Sequence, residues 1–218
     1  MENIKGAIFD MDGTLIDSLI VWNEIWDALG ERYGKKGFRP SDEDDKAIRT
    51  MTLADCCDFI HQKYDLGSCG KELHDYIDEI CSRFYAERVL LKDGVLEFLD
   101  HLYAKGVKMI VATATALDLV MIAYRRCGLD KYFSEVISCA TIGKGKDHPD
   151  IYLIALEKLG TPKEETWVFE DSATAVVTAS KIGLPTVGIY DDYNYGQDVL
   201  QSRANYYIAD GETLEKLI

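Results

Sequence analysis

The chain has 218 residues, 47% of them apolar, which suits one mid-sized α/β domain or a core with a smaller insert. Its formal net charge is −14 and it has no basic tract, which argues against binding to nucleic acid or to an anionic membrane. No apolar run is long enough to span a membrane, no signal peptide is recognised, and the six cysteines show no zinc-site spacing. We therefore expect a cytoplasmic, monomeric protein with reduced thiols.

The first predicted element is a short buried strand, Ala7 to Phe9, which ends at a turn containing Gly13. Asp10 and Asp12 stand where the strand stops, in the place where open α/β sheets bind their ligands. Two carboxylates this close repel each other unless one holds a proton or a cation lies between them. Mg²⁺ suits such a place because it prefers oxygen ligands and phosphate. The alternative explanation is that Asp10 and Asp12 only mark the polar end of the strand and have no chemical role.

A helical block follows over residues 18–90, where the sequence shows little sign of strands. Apolar residues at helical spacing predict a first helix closed by Gly30, with Trp22 and Trp26 on one face as core residues. Two helix starts are predicted, at Ser41 with Asp44 and at Thr52 with Asp55. Further helices are predicted from Leu53 to Tyr64 and from Lys71 to Val89. A helical block directly after the first strand predicts a small inserted domain.

Strands and helices alternate from Lys92 onward, which predicts a parallel sheet with helices on both faces. The predicted strands are Val107 to Ala112, Phe133 to Ser138, Thr166 to Phe169, Thr186 to Ile189 and Tyr206 to Ile208. The predicted helices are Gly94 to Lys105, Asp118 to Cys127, Pro149 to Leu159, Ala173 to Ile182 and Glu212 to Leu217.

Polar residues follow each of the first four predicted strands. They are Asp10 and Asp12 after the first, Thr113 to Thr115 after the second, Gly143 to Lys146 after the third, and Glu170 to Ser172 after the fourth. The carboxyl ends of parallel strands lie at one edge of the sheet, so these groups should assemble there. Acids, a hydroxyl and an ammonium together are suited to phosphoryl transfer.

The chemistry of these groups predicts their roles. Asp10 is the expected nucleophile, forming an aspartyl-phosphate. Asp12 would protonate the leaving oxygen and then deprotonate the attacking water. Mg²⁺ would be bound with the help of Asp10, Glu170 and Asp171 and would neutralise phosphate charge.

The other predicted groups would hold the phosphate itself. The hydroxyl of Thr113 and the backbone N–H of Ala114 would bind phosphate oxygens, and Lys146 would supply a point charge. Taken singly, each has an ordinary explanation: Thr113 as a helix cap, Lys146 as a solvated group, and Glu170 with Asp171 as the acidic start of a helix.

These motifs, in this order, resemble the haloacid dehalogenase-like superfamily, and in particular the phosphatases related to β-phosphoglucomutase. The residues that carry the resemblance are Asp10-Met11-Asp12-Gly13-Thr14-Leu15, Thr113, Lys146 and Glu170-Asp171-Ser172. The resemblance implies a Rossmann-like core, a helical cap inserted after the first motif, Mg²⁺ dependence, and a metal bond to the backbone carbonyl of Asp12. Dehalogenase members lack the second aspartate, so Asp12 argues against dehalogenation.

The sequence also departs from the family pattern. Asp147-His148-Pro149 follows Lys146 where relatives show Pro-x-Pro, and Lys144 is an alternative for the motif lysine. Ala175 and Asp93 replace a glycine and a proline that relatives often have. Arg49 falls where related caps often present a basic residue to the substrate, although a solvated surface arginine is the plain alternative.

The sequence thus predicts a core domain of residues 1–17 and 91–218 and a cap domain of residues 18–90. The expected activity is Mg²⁺-dependent hydrolysis of a small phosphate monoester, with a sugar phosphate as one option. Two alternatives stay open: a phosphomutase like β-phosphoglucomutase, and a non-catalytic phosphate-binding regulator with the same fold.

Overall fold

The computed structural model describes residues 3–49 and 51–218, and these form two compact units. One unit combines Met1–Leu19 with Val89–Ile218, and the other is Ile20–Arg88. Met1 and Glu2 of the predicted core and Thr50 of the predicted cap lie outside the described residues. No helix in the described part of the chain is both long and apolar enough to cross a membrane.

A parallel six-stranded sheet forms the centre of the larger unit, as far as the structure describes it, with the strand order β3-β2-β1-β4-β5-β6. The strands are β1 (Gly6–Phe9), β2 (Lys108–Thr113), β3 (Val136–Ser138), β4 (Thr166–Glu170), β5 (Thr186–Ile189) and β6 (Tyr206–Ile208). Every residue of β1 is buried, as expected for a continuous apolar run between two neighbours in a parallel sheet. Phe9 pairs with Val111 on one side and with Phe169 on the other. This register brings Asp10 and Glu170 to the same edge.

Side chains that alternate along the strands cover the two faces of the sheet. On one face, Ile8 and Val168 pack into a buried cluster with Tyr152 and Ala175 from the helices. On the other face, the ring of Phe9 stacks on Phe169 with centroids 4.3 Å apart, and Phe98 packs edge-on at 6.3 Å. The predicted α/β class, with helices on both faces of a parallel sheet, is confirmed.

The helices of this unit connect the strands. They are α5 (Val95–Ala104), α6 (Leu117–Arg126), α7 (Cys139–Ile142), α8 (Asp150–Leu159), α9 (Ala173–Lys181) and α10 (Gln197–Arg203), and a 3₁₀ turn spans Leu214–Leu217. Neither α7 nor α10 was predicted from the sequence, since each is too short to show a clear apolar period. It was wrong to expect an α-helix over Glu212 to Leu217, where the structure has only the 3₁₀ turn.

The smaller unit is helical, with α1 (Val21–Arg32), α2 (Asp42–Ile48), α3 (Leu53–Tyr64) and α4 (Gly70–Glu87). The two predicted helix starts are confirmed: Ser41 accepts a hydrogen bond from the Asp44 N–H, and Thr52 accepts one from the Asp55 N–H, both at 3.2 Å. Trp22 and Trp26 contact each other with ring centroids 5.4 Å apart.

Candidate active site

Three buried carboxylates converge at the carboxyl edge of the sheet. Asp10 directly follows β1, Glu170 ends β4, and Asp171 is the next residue. Each offers one oxygen atom, and these atoms lie within 4.8 Å of one another. Phosphate chemistry and Mg²⁺ binding both use such oxygen-rich sites, and the spacing matches a single small cation.

Burial and mutual repulsion change the acidity of these groups. Burial, the largest effect, raises the pKa of Asp10 well above its usual range; Lys146 opposes this shift, and Glu170, Asp171 and Asp12 add to it. Burial likewise raises the pKa of Asp171 to about 7, with Glu170 adding to the shift and a hydrogen bond from Asn194 opposing it. Keeping these buried carboxylates ionised therefore costs free energy, and a bound cation would remove that cost.

Lys146 supplies positive charge within this acidic cluster. Its Nζ donates hydrogen bonds to Asp10 and to Glu170, and its side chain is only 10% exposed. Burial would lower the pKa of Lys146, but the carboxylates of Asp10 and Glu170 outweigh it and hold the pKa well above the usual value. Lys144, the alternative for the motif lysine, instead pairs with Asp150 at 2.6 Å and is half exposed. Of these two lysines, Lys146 is the one that contacts the acidic cluster.

Asp12 is held by hydroxyl groups at both of its carboxylate oxygens. Ser18 donates to Oδ1 at 2.7 Å and Thr115 donates to Oδ2 at 2.8 Å. The Thr113 hydroxyl lies 3.5 Å from the same Oδ2. The Asp12 side chain is not among the three carboxylates that lie close enough to share a cation. The hydroxyls of Ser18 and Thr115 therefore set the direction of the Asp12 carboxylate.

Thr113 ends β2 and is fully buried, and Ala114 follows it as an exposed residue. The Thr113 Oγ1 accepts a hydrogen bond from the Thr115 N–H at 3.1 Å. The residue at the N-cap position of α6 is Ala116, so the helix-cap explanation of Thr113 is wrong. The hydroxyl lies instead at the strand exit beside Asp12.

Gly13 allows the loop after β1 to pass close to Asp171. Its φ of 79° is in the left-handed region, and a Cβ atom there would overlap the Asp171 carboxylate. Thr14, the next residue, donates to Asp171 Oδ1 at 3.3 Å. The glycine in the first motif is thus required by backbone conformation and by space.

Arg49 belongs to the helical unit, where its guanidinium is paired rather than solvated. It donates to Asp45 Oδ2 at 3.1 Å and lies 4.7 Å from the ring centre of Trp22. Its side chain is 15% exposed, so the explanation as a solvated surface arginine is wrong. A contact with substrate remains a prediction.

Some residues that contact the site were not predicted from the sequence, namely Ser18, Tyr152 and Asn194. Two further contacts come from within the predicted motifs, from Thr14 and Thr115, for which no role was predicted. Tyr152 donates to Glu170 Oε1 at 3.3 Å from a buried position in α8. Asn194 lies in the segment after β5. Considering the polar residues after this strand, as was done for the first four strands, could have found it.

The fold and this site together define a class of protein: a parallel α/β domain that gathers acids and one lysine at the carboxyl ends of its strands. Comparison with known proteins identifies the group within that class. The chain belongs to the haloacid dehalogenase-like hydrolase family, which it matches over residues 7–189.

Individual relatives are similar along nearly their whole length. A phosphorylated carbohydrates phosphatase of Thermotoga maritima is 28% identical over 216 residues, which cover 98% of each chain. A phosphoglycolate phosphatase of Shigella boydii is 26% identical and covers 91% of this chain and 86% of its own. A solved structure from Thermotoga maritima, provisionally named a beta-phosphoglucomutase, has a TM-score of 0.80, 27% identity and 98% coverage of both chains.

The comparisons confirm the predicted superfamily and the predicted enzyme class, a phosphoric monoester hydrolase of the haloacid dehalogenase-like type. The non-catalytic alternative is thereby disfavoured.

Proposed function

We propose that this protein is a Mg²⁺-dependent phosphatase that hydrolyses a small phosphate monoester through an aspartyl-phosphate on Asp10. The observation that carries the proposal is the group of Asp10, Glu170 and Asp171 oxygens within 4.8 Å, with the Lys146 ammonium bonded to two of these acids. A sugar phosphate is the first substrate to test, since a relative whose match covers 98% of this chain is named as a phosphatase of phosphorylated carbohydrates.

In the first step, a carboxylate oxygen of Asp10 attacks phosphorus, and the bond from phosphorus to the ester oxygen breaks. The departing oxygen takes a proton from Asp12, so that an alcohol leaves. In the second step, water attacks the phosphorus of the aspartyl-phosphate, and the bond from phosphorus to the Asp10 carboxylate oxygen breaks. Asp12 takes a proton from this water, and inorganic phosphate leaves. Asp10 and Asp12 both return to their starting states.

The surroundings of Asp12 suit a group that gains and loses a proton. Both of its oxygens accept hydrogen bonds from hydroxyls, those of Ser18 and Thr115. A hydroxyl can turn from donor to acceptor, so a proton on Asp12 would still have a partner. The Thr113 hydroxyl, the Ala114 N–H and the Lys146 ammonium are the groups we propose to bind the phosphate oxygens.

The donor set fits Mg²⁺, which prefers carboxylate oxygens to nitrogen or sulfur. Asp10, Glu170 and Asp171 would hold the cation, together with the Asp12 backbone carbonyl if the resemblance to the family extends to this bond. When bound, the cation would neutralise negative charge on the phosphate and make phosphorus easier to attack. We also propose that the helical unit serves as the cap, with Arg49 as its candidate substrate contact.

A panel of small phosphate monoesters tests the activity. We expect release of inorganic phosphate that requires Mg²⁺ and stops when a chelator removes it. Sugar phosphates, phosphoglycolate and p-nitrophenyl phosphate would be compared at equal concentration. If none of these esters released phosphate in the presence of Mg²⁺, the proposal would be refuted.

A phosphomutase is the second candidate, because the solved relative at 27% identity carries a provisional beta-phosphoglucomutase name. A mutase returns the phosphoryl group to a bound sugar instead of to water. Incubation with β-glucose 1-phosphate and a trace of the bisphosphate separates the two functions. Glucose 6-phosphate without free phosphate would favour the mutase, and free phosphate would favour the phosphatase.

The affinity for Mg²⁺ should depend on pH near neutrality. Burial raises the pKa of Asp171 to about 7, so the metal-free site holds a proton below that pH, and a cation must displace it. We expect Mg²⁺ binding to be at least about tenfold weaker at pH 6 than at pH 8. Isothermal titration calorimetry in two buffers of different ionisation enthalpy would measure both the affinity and the released proton.

Asp171→Asn is the control for this pH dependence. It removes the titrating carboxylate, so we expect a higher Mg²⁺ requirement at pH 8 and a weaker dependence on pH. An unchanged Mg²⁺ titration in this variant would reject Asp171 as a ligand.

A further inference from the structure

The Asp171 carboxylate is held by side chains that the mechanism above does not use. Asn194 Nδ2 donates to Asp171 Oδ2 at 2.6 Å and lies 3.2 Å from the Asp171 backbone carbonyl oxygen. The Asn194 Oδ1 accepts a hydrogen bond from the Tyr195 N–H at 2.8 Å, which fixes the carboxamide with its donor end toward Asp171. Thr14 donates to the other carboxylate oxygen at 3.3 Å. Both Asp171 oxygens thus have protein partners that set their direction.

Asn194 lies in the irregular segment between β5 and α10, and this segment has its own anchor. The Lys92 ammonium donates to Asp191 Oδ2 at 2.7 Å and to the Tyr190 carbonyl oxygen at 3.1 Å. The Asp191 side chain is only 3% exposed, so its charge depends on this ion pair. Asp191 Oδ1 also accepts from the Tyr193 N–H at 2.9 Å, one residue before Asn194.

Lys92 also reaches the first motif, since its ammonium donates to the Gly13 carbonyl oxygen at 2.9 Å. One side chain therefore joins the loop after β1, which carries Asp10 and Asp12, to the loop after β5, which carries Asn194. Lys92 lies four residues after Arg88, the last residue of the helical unit. The backbone there is bound to the same first loop, because the Lys92 N–H donates to the Leu15 carbonyl oxygen at 3.0 Å.

We propose that Asn194 is a positioning residue that directs the Asp171 carboxylate toward the metal, and that the Lys92–Asp191 ion pair fixes the loop that carries Asn194. The inference rests on the proposed Mg²⁺ site. A carboxylate whose orientation is fixed before the cation arrives binds it without first losing rotational freedom, and partners of metal ligands commonly change metal affinity by about 10–100-fold.

The first test replaces Asn194 with leucine, which has a similar shape and no hydrogen bond. We expect the Mg²⁺ dissociation constant, measured by titration calorimetry at pH 8, to rise by about tenfold or more. At saturating Mg²⁺, turnover should recover to nearly the wild-type value. Asp192→Asn is the matched control. Asp192 is exposed in the same loop and accepts a hydrogen bond from the Tyr190 hydroxyl at 2.7 Å, so the Mg²⁺ affinity of this variant should stay the same.

The possible outcomes distinguish failure of the positioning role of Asn194 from failure of the proposed Mg²⁺ site. Wild-type protein that bound no Mg²⁺ would overturn both. Wild-type binding with an unchanged dissociation constant in Asn194→Leu would overturn the positioning role alone. Asn194→Ala serves the same purpose if the leucine variant does not fold, as judged by its melting temperature.

The anchor has a separate test in Lys92→Met. We expect Lys92→Met to raise the Mg²⁺ dissociation constant, as Asn194→Leu does. The double variant should bind no more weakly than the worse single variant, because the two act through one chain of contacts. A folded Lys92→Met with wild-type Mg²⁺ affinity would overturn the role of the ion pair.

Discussion

We expect Lys146→Met to lower the free energy of unfolding by about 3–5 kcal/mol, the usual cost of breaking a buried ion pair from one side. The Lys146 ammonium bonds Asp10 and Glu170, and its removal leaves two buried carboxylates without their cation. The loss should become smaller as the pH falls, because the raised pKa of Asp10 lets that carboxyl take a proton and become neutral.

Turnover should also fall in Lys146→Met, by about a hundredfold or more, because a fixed positive charge is lost where negative charge develops. Chemical denaturation and phosphate release measure the two effects. Lys144→Met is the matched control: it removes the same charge from a half-exposed pair with Asp150, for which a cost below about 1 kcal/mol is usual. Equal losses in the two variants would contradict the assignment of Lys146 to the site.

Asp10→Asn should reduce turnover by more than about a thousandfold while the protein stays folded, since the amide keeps the shape of the side chain but is a very poor nucleophile. The same change relieves the repulsion among the buried acids. It leaves Lys146 paired with Glu170, so the melting temperature should change little. Phosphate release and thermal unfolding would be measured on the same preparation.

The control for Asp10→Asn is Asp147→Asn, an equal change at an exposed side chain next to Lys146. It should retain most of the activity. Acid-quenched protein analysed by intact mass should carry a phosphoryl group in the wild type and none in Asp10→Asn. Substantial turnover by Asp10→Asn would refute the covalent mechanism.

Most of the fold could be predicted because the longer helices and most of the strands carry a local signal. The strands Thr186–Ile189 and Tyr206–Ile208 and the helix Leu53–Tyr64 have the predicted ends. The failures are short segments: four residues of α7 or seven of α10 are too few for a helical period to show. Their formation depends on the neighbouring strands, which the local sequence does not describe.

One rule predicted much of the candidate site: polar residues that follow parallel strands gather at one edge of the sheet. That rule brought together Asp10, Lys146 and Asp171 from distant parts of the sequence. It was applied to four strand exits and stopped before the fifth, where Asn194 lies. Lys92 follows no strand at all, and its contacts with Gly13 and Asp191 arise only when the chain is folded.

The charge balance of the acidic cluster has a consequence for the order in which ligands enter. Three carboxylates against one ammonium leave a formal charge of −2 when all are ionised. A doubly charged phosphate ester would be repelled by the bare protein and accepted once a divalent cation has neutralised the excess. We therefore expect the metal to bind before the ester, in an obligatory order. When the cation is scarce, the active site would stay empty instead of binding its substrate unproductively.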